Sequence, residues 1–149
     1  MSYDLMIFSS EAAPKTRADF MLWYARQTAW TEGHSYQNPT ITTPGLRSWY
    51  LDMMQTFPDM NGPEATDDHT SEYETDYTIG RAVIYAAFSW RLAEEANTTA
   101  RQLAQKHQVG LYDPSFNGPI LVPHNGQLKP MEGVNTRIQD VRKPWWKVW

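Results

Sequence analysis

The side chains that could do chemistry in this chain are four histidines, His34, His69, His107 and His124, and an acidic cluster, Asp67-Asp68-His69, followed closely by Glu72 and Glu74. The histidines lie far apart, and none has a second His or Cys at the spacing of a metal-binding pair. His107 falls near the end of an expected helix, where a positive charge complements the helix dipole. His34 and His124 fall in expected loops. The acidic cluster lacks the alternating order and the glycine of an EF-hand loop. It admits three readings: a solvated loop, an acidic surface facing a partner, or a cation site or carboxylate acid/base pair. Phosphate-binding glycine loops, the GxSxG elbow and the HExxH helix are missing from the sequence. With no cysteine, thiol nucleophiles, disulfides and thiolate-bound zinc are excluded as well. The expectation is a protein without metal, cofactor or catalytic residues.

Charge divides unevenly along the chain. The net charge of −4 conceals six acids and no Lys or Arg between Pro63 and Asp76, a local −6, and a basic excess of +3 from Gln127 to Trp149. The second region ends in KPWWKVW, with three tryptophans in the last five residues. Large aromatic side chains at a chain end have three uses: folding back as a plug, gripping a protein partner, or resting at a membrane interface. Self-packing is the expectation, and no membrane association is. Nucleic acid is not an expected partner either, because no basic stripe accompanies the aromatics and the chain is acidic overall.

The elements that must position these residues follow from periodicity. Tyr3 to Phe8 is an apolar run that reads as a buried strand. Pro14 suits a first helical turn, and Lys15 to Trp30 carries Phe20, Trp23, Tyr24 and Gln27 on one side of an amphipathic helix. A second helix has Thr43 as N-cap and Pro44 at its first position, with Leu46, Trp49, Tyr50, Met53, Met54 and Phe57 along one stripe; Phe57-Pro58 ends it. Strand propensity then resumes around Gly80-Arg81 as a hairpin whose second arm, Val83 to Phe88, is apolar on both faces. Ser89 can cap a third helix with Glu94 and Glu95 at its start, Lys106 and His107 at its end, and a stripe of Ala93, Ala96, Ala100, Leu103 and His107. Val109 to Asp113 and Ile120 to Val122 read as short strands of a second hairpin.

This order predicts an α+β domain over residues 1–122 on the ferredoxin-like, split-βαβ plan, with a mainly antiparallel sheet, helices on one face, an extra helix and an extra final strand. Residues 123–149 form the expected C-terminal extension. A chain of 149 residues buries enough surface to fold without staples. No signal-like segment opens it, so a cytoplasmic location is expected.

Several stretches, namely MSYDLMIF, TAWTE (Thr28 to Glu32), QTFPDMNGP (Gln55 to Pro63), TDYTIGRAVIYAAFSWRLAEEA (Thr75 to Ala96) and KHQVGLYDPS (Lys106 to Ser115), resemble a family of small bacterial immunity proteins encoded beside polymorphic toxins of the Rhs, contact-dependent or type VI kind. The resemblance implies a protein that binds a cognate toxin and occludes its active site without catalysis of its own. It supplies no site residues. Those come from the charge pattern: Asp67, Asp68, Glu72, Glu74 and Asp76 would steer a basic toxin cleft, and Tyr73 or Tyr77 would anchor it. The alternative is a small dimeric ferredoxin-like enzyme acting on a small molecule in a pocket between sheet and helices.

Overall fold

The computed structural model describes residues 2–61, 71–116 and 118–131. Asp67, Asp68, His69 and the KPWWKVW segment lie outside them. Strand β1 (Ser2–Phe8) sends Tyr3, Leu5 and Ile7 into one buried cluster and Met6 and Phe8 into another, as the alternation of a strand requires. A strand that is apolar on both faces belongs in the middle of a sheet. Accordingly β1 pairs antiparallel with β3 (Val83–Ser89) on one side and with β4 (Gly110–Tyr112) on the other. Adding β2 (Asp76–Ile79), β5 (Ile120–His124) and β6 (Gln127–Pro130) gives a six-stranded, open, wholly antiparallel sheet in the order β2-β3-β1-β4-β5-β6.

Helices cover both faces, which corrects the expectation that they share one. Helices α2 (Pro44–Met53) and α3 (Ala93–His107) pack over Leu5, Ile7, Ile84 and Ala86. Helix α1 (Arg17–Gln27) lies on the opposite side, with Phe20 and Trp23 against Met6, Phe8 and Tyr112. The reason is in β1, β3 and β4 themselves, whose second apolar face would otherwise meet water, at a cost of about 25 cal/mol per Å² of apolar surface.

Helix ends follow local chemistry, with two departures from expectation. Thr43 caps α2, with Pro44 at the first helical position, but α1 starts at Arg17 behind a Thr16 cap rather than at Pro14. The Ser89 side chain makes no capping bond; a single 3-10 turn, Trp90–Leu92, leads into α3 at Ala93. On α3 the fully buried positions are Ala96, Ala100 and Ala104, small enough for close approach. The Trp49 indole N–H of α2 donates to the Ala100 carbonyl at 3.1 Å.

The sheet continues past residue 122. Asn125 and Gly126 have φ of 53° and 80°, the paired left-handed conformation of a two-residue hairpin turn, and return the chain as β6. Its rim is blunted: the Leu128 amide donates to Gln105 Oε1 at 3.3 Å, and Pro130 has no amide to offer. At the β2 rim, Thr75 N–H donates to the Pro58 carbonyl at 2.8 Å and Ile79 N–H to the Tyr36 carbonyl at 2.7 Å. A partner strand would have to displace these contacts at either rim.

Candidate interaction surface

The described arm of the acidic segment, Ser71 to Thr75, runs into β2 and is pinned from two sides. From below, an isolated parallel bridge joins Asp59 and Thr75, and the Phe57 and Tyr73 rings pack at 5.4 Å. From the side, the Tyr73 hydroxyl donates to Glu95 Oε1 at 2.8 Å, and Arg91 pairs with Glu72 at 3.4 Å. Of the expected residues, Tyr73 thereby meets the first turn of α3, where Glu94 and Glu95 are both exposed, and Glu72 meets the 3-10 turn that leads into it. The Arg91–Glu72 pair is open to solvent and adds about 0–1 kcal/mol at most, so its importance is to local charge rather than stability. Glu95 accepts the Tyr73 hydrogen bond and so holds that phenol above its ordinary value, assisted by burial and by the charges on Glu95 and Glu72. Tyr73 is thus a neutral donor fixed at an acidic rim.

Strand geometry separates the other expected residues. Tyr77 is fully buried, and its hydroxyl donates to the Phe57 carbonyl at 2.7 Å. Burial first, and the Asp59 charge second, push its phenol well up. Tyr77 is therefore a core residue, and its expected role as an anchor is corrected. Asp76, one position earlier, faces the other side of the sheet, with Asn61 Nδ2 donating to it at 3.0 Å. Glu74 is half-buried beside Tyr73, and its amide donates to the Ser71 carbonyl at 3.3 Å.

Sequence reasoning missed two apolar contributors to this region. Trp90 is 39% exposed, with its ring 5.2 Å from that of Tyr3, and Met60 is 36% exposed beside the Thr75 bridge. A tryptophan in the residue after a buried strand was the available signal, since the sheet that buries its predecessors ends at Ser89.

His34 and His107 are held by structural partners. Glu32 Oε1 meets His34 Nε2 at 2.5 Å while the Ser35 carbonyl meets Nδ1 at 3.0 Å, so neither ring nitrogen faces an open site. Glu32 also accepts the Arg81 amide at 3.1 Å, which locks this loop onto the β2–β3 turn. His107 Nε2 meets Asp52 Oδ2 at 2.7 Å and joins α3 to α2. His124 is exposed at the β5–β6 turn. Among the described residues no group of three or more His, Cys, Asp or Glu side chains is arranged to hold a metal ion, and no helix is long and apolar enough to cross a membrane. No protein-family model matches the chain, and neither the curated proteins nor the solved structures compared with it provide a match.

Proposed function

We propose that this chain is a bacterial immunity protein that binds a cognate antibacterial toxin in the cytoplasm and occludes its active site. The observation that carries the reading is the tie between the acidic arm and α3. Tyr73 is held by Glu95, with Glu94 beside it, and Glu72 by Arg91 just before α3, so acids distant in sequence are gathered at one rim. Fixed like charges cost little ordering entropy when a basic partner docks, and they raise the encounter rate. Trp90, next to Arg91 in the chain, and Met60, hydrogen-bonded to Thr75, supply exposed apolar surface, the kind of residue that carries affinity at interface centres. Blunted sheet rims favour recognition through side chains over strand addition. Within this reading we take β2-β3-β1-β4, with α2 and α3 over one face, as the split-βαβ core of a ferredoxin-like fold, to which α1 and the β5–β6 hairpin are additions.

The test is capture followed by rescue. The tagged protein is used to retrieve partners from its source cells at low and high salt, and each captured protein is then expressed in a sensitive host with and without this chain. Support is a salt-sensitive partner that is toxic alone and harmless in co-expression, with protection lost in a Glu72→Lys, Glu94→Lys, Glu95→Lys variant that still folds. A captured toxin against which that variant protects as well as the parent would remove the acidic rim from the mechanism. Captured partners that are all harmless when expressed alone would remove the immunity reading itself.

A further inference from the structure

On the α1 side of the sheet, away from the acidic rim, a cleft of about 490 Å³ opens between the turn preceding α1 and the β5–β6 hairpin. Its size is that of a small-molecule site. Every charged or titratable side chain lining it is basic: Lys15 from the turn, His124 and Lys129 from the hairpin. That is unusual in a chain of net charge −4. Strand register explains the hairpin wall. Val122 and Lys129 are direct cross-strand partners, as are His124 and Gln127, so Val122, His124 and Lys129 share the face that looks toward α1. Lys15 reaches the opposite wall with its ammonium tethered to the Ser10 carbonyl at 2.6 Å, which keeps the charge over the cleft. Ala13, Val122 and Met131 supply apolar lining between the cations. A charge beside such lining acts through a lower effective dielectric than one in open water, so an anion is attracted more strongly here than at an isolated surface lysine.

We propose that this cleft binds a small organic anion, with its carboxylate, sulfonate or phosphate head between Lys15 and Lys129 and its apolar body against Ala13, Val122 and Met131. The inference is independent of the toxin-binding reading, since the two surfaces share no residue.

The probe is 8-anilinonaphthalene-1-sulfonate, which joins an anionic head to an aromatic body and fluoresces when sheltered from water. The folded protein should bind it saturably and with one site, more weakly as salt rises. Lys15→Gln and Lys129→Gln should each weaken binding, and the double variant should lose about tenfold, the loss expected from two partly screened charge contacts. Both lysines are exposed, so the variants should keep the parent's melting temperature. The uncharged analogue, N-phenyl-1-naphthylamine, should bind less tightly than the sulfonate. Competition with inorganic phosphate and with a short-chain carboxylate then tells which head group the cleft prefers, and displacement by either supports the site. Three results overturn the proposal: no saturable binding by the parent, equal binding by the double variant, or equal affinity for the uncharged analogue. Amide shifts on titration that spare Lys129 and Val122 would overturn the location.

Discussion

Tyr73 donates its hydroxyl to Glu95 at 2.8 Å, and the bond fastens the arm leading into β2 to the first turn of α3. Because Glu95 raises the Tyr73 phenol above its ordinary value of 10.0, ionising the tyrosine requires breaking the tie. Glu95→Gln should therefore move the Tyr73 titration down toward that value, read by ultraviolet absorbance. Tyr73→Phe should remove this titration and speed amide exchange at Met60 and Thr75, whose backbones are bridged beneath the arm. Global melting should hardly change, since the bond is at the surface. Unaltered exchange would mean that packing of Phe57 on Tyr73 holds the arm by itself.

Acid sensitivity is expected at the opposite end of α3. Asp52 Oδ2 receives His107 Nε2 at 2.7 Å and Lys106 Nζ at 3.1 Å. The His107 bond first, and the Lys106 bond second, hold the carboxyl below its ordinary value of 3.8. Near that value the unfolded chain then binds more protons at this position than the folded one. The stabilisation is complete above the unfolded value and is lost as pH falls through the folded one. Asp52→Asn should accordingly flatten the loss of stability below about pH 4, measured by urea unfolding. The change should be small because Asp52 is partly open to solvent, and it should shrink further in high salt. Identical acid slopes for variant and parent would show that His107 and Lys106 do not hold the carboxylate in solution.

Much of the α+β fold was legible because apolar runs have a length and a period. Thr43-Pro44 marked the start of α2, and the paired apolar faces of Val83 to Phe88 marked a central strand. The same property held information left unused: apolar residues on both faces of β1 and β3 require a layer on each side, hence α1 opposite α2 and α3. Asn125-Gly126 was a direct hairpin signal that short, polar β6 concealed, because Gln127 to Pro130 has no apolar alternation to register as a strand. At the candidate surface, charge density found Glu72 and Glu74, but density is blind to strand parity. Neighbours Asp76 and Tyr77 go to opposite faces, and only the sheet decides which is core. Glu94 and Glu95 were legible as dipole partners; the meeting of Glu95 with Tyr73 is a contact spanning 22 residues, which no local pattern encodes.

Gly110 should tolerate no side chain. It lies directly across from Phe8 in the β1–β4 ladder, and a Cβ built on it would lie 2.3 Å from the Phe8 ring. Phe8 is itself wedged against Phe20 at 4.9 Å and Trp23 at 6.1 Å, so the ring has little room to retreat. Gly110→Ala should cost about 1–3 kcal/mol, the usual range for overpacking a filled core. Urea unfolding should show a lower midpoint with an unchanged slope. Adding Phe8→Leu should recover part of the loss, whereas simple additivity of the two substitutions would show that ring and glycine do not interact as described.

Asp59 connects the core to the acidic arm. It is fully buried; its Oδ2 accepts the Tyr50 hydroxyl at 2.6 Å and its Oδ1 the Asn61 amide at 2.9 Å, while its backbone bridges Thr75. Asp59→Ala leaves both donors without that acceptor, the Tyr50 hydroxyl in a fully buried place, a cost of about 1–3 kcal/mol. Asp59→Asn keeps a carbonyl oxygen for one of them and should cost less. Whether asparagine is destabilised at all is the sharper test, because a purely steric account, in which only lost volume matters, also penalises alanine but predicts that asparagine matches the parent. If Asp59 also sets the height of the arm, Asp59→Ala should speed amide exchange at Thr75 and slow capture of a basic partner beyond what its loss of stability explains. A variant destabilised as expected but unaltered in both respects would confine Asp59 to the core and leave Tyr73 and Glu95 as the positioning pair of the acidic rim.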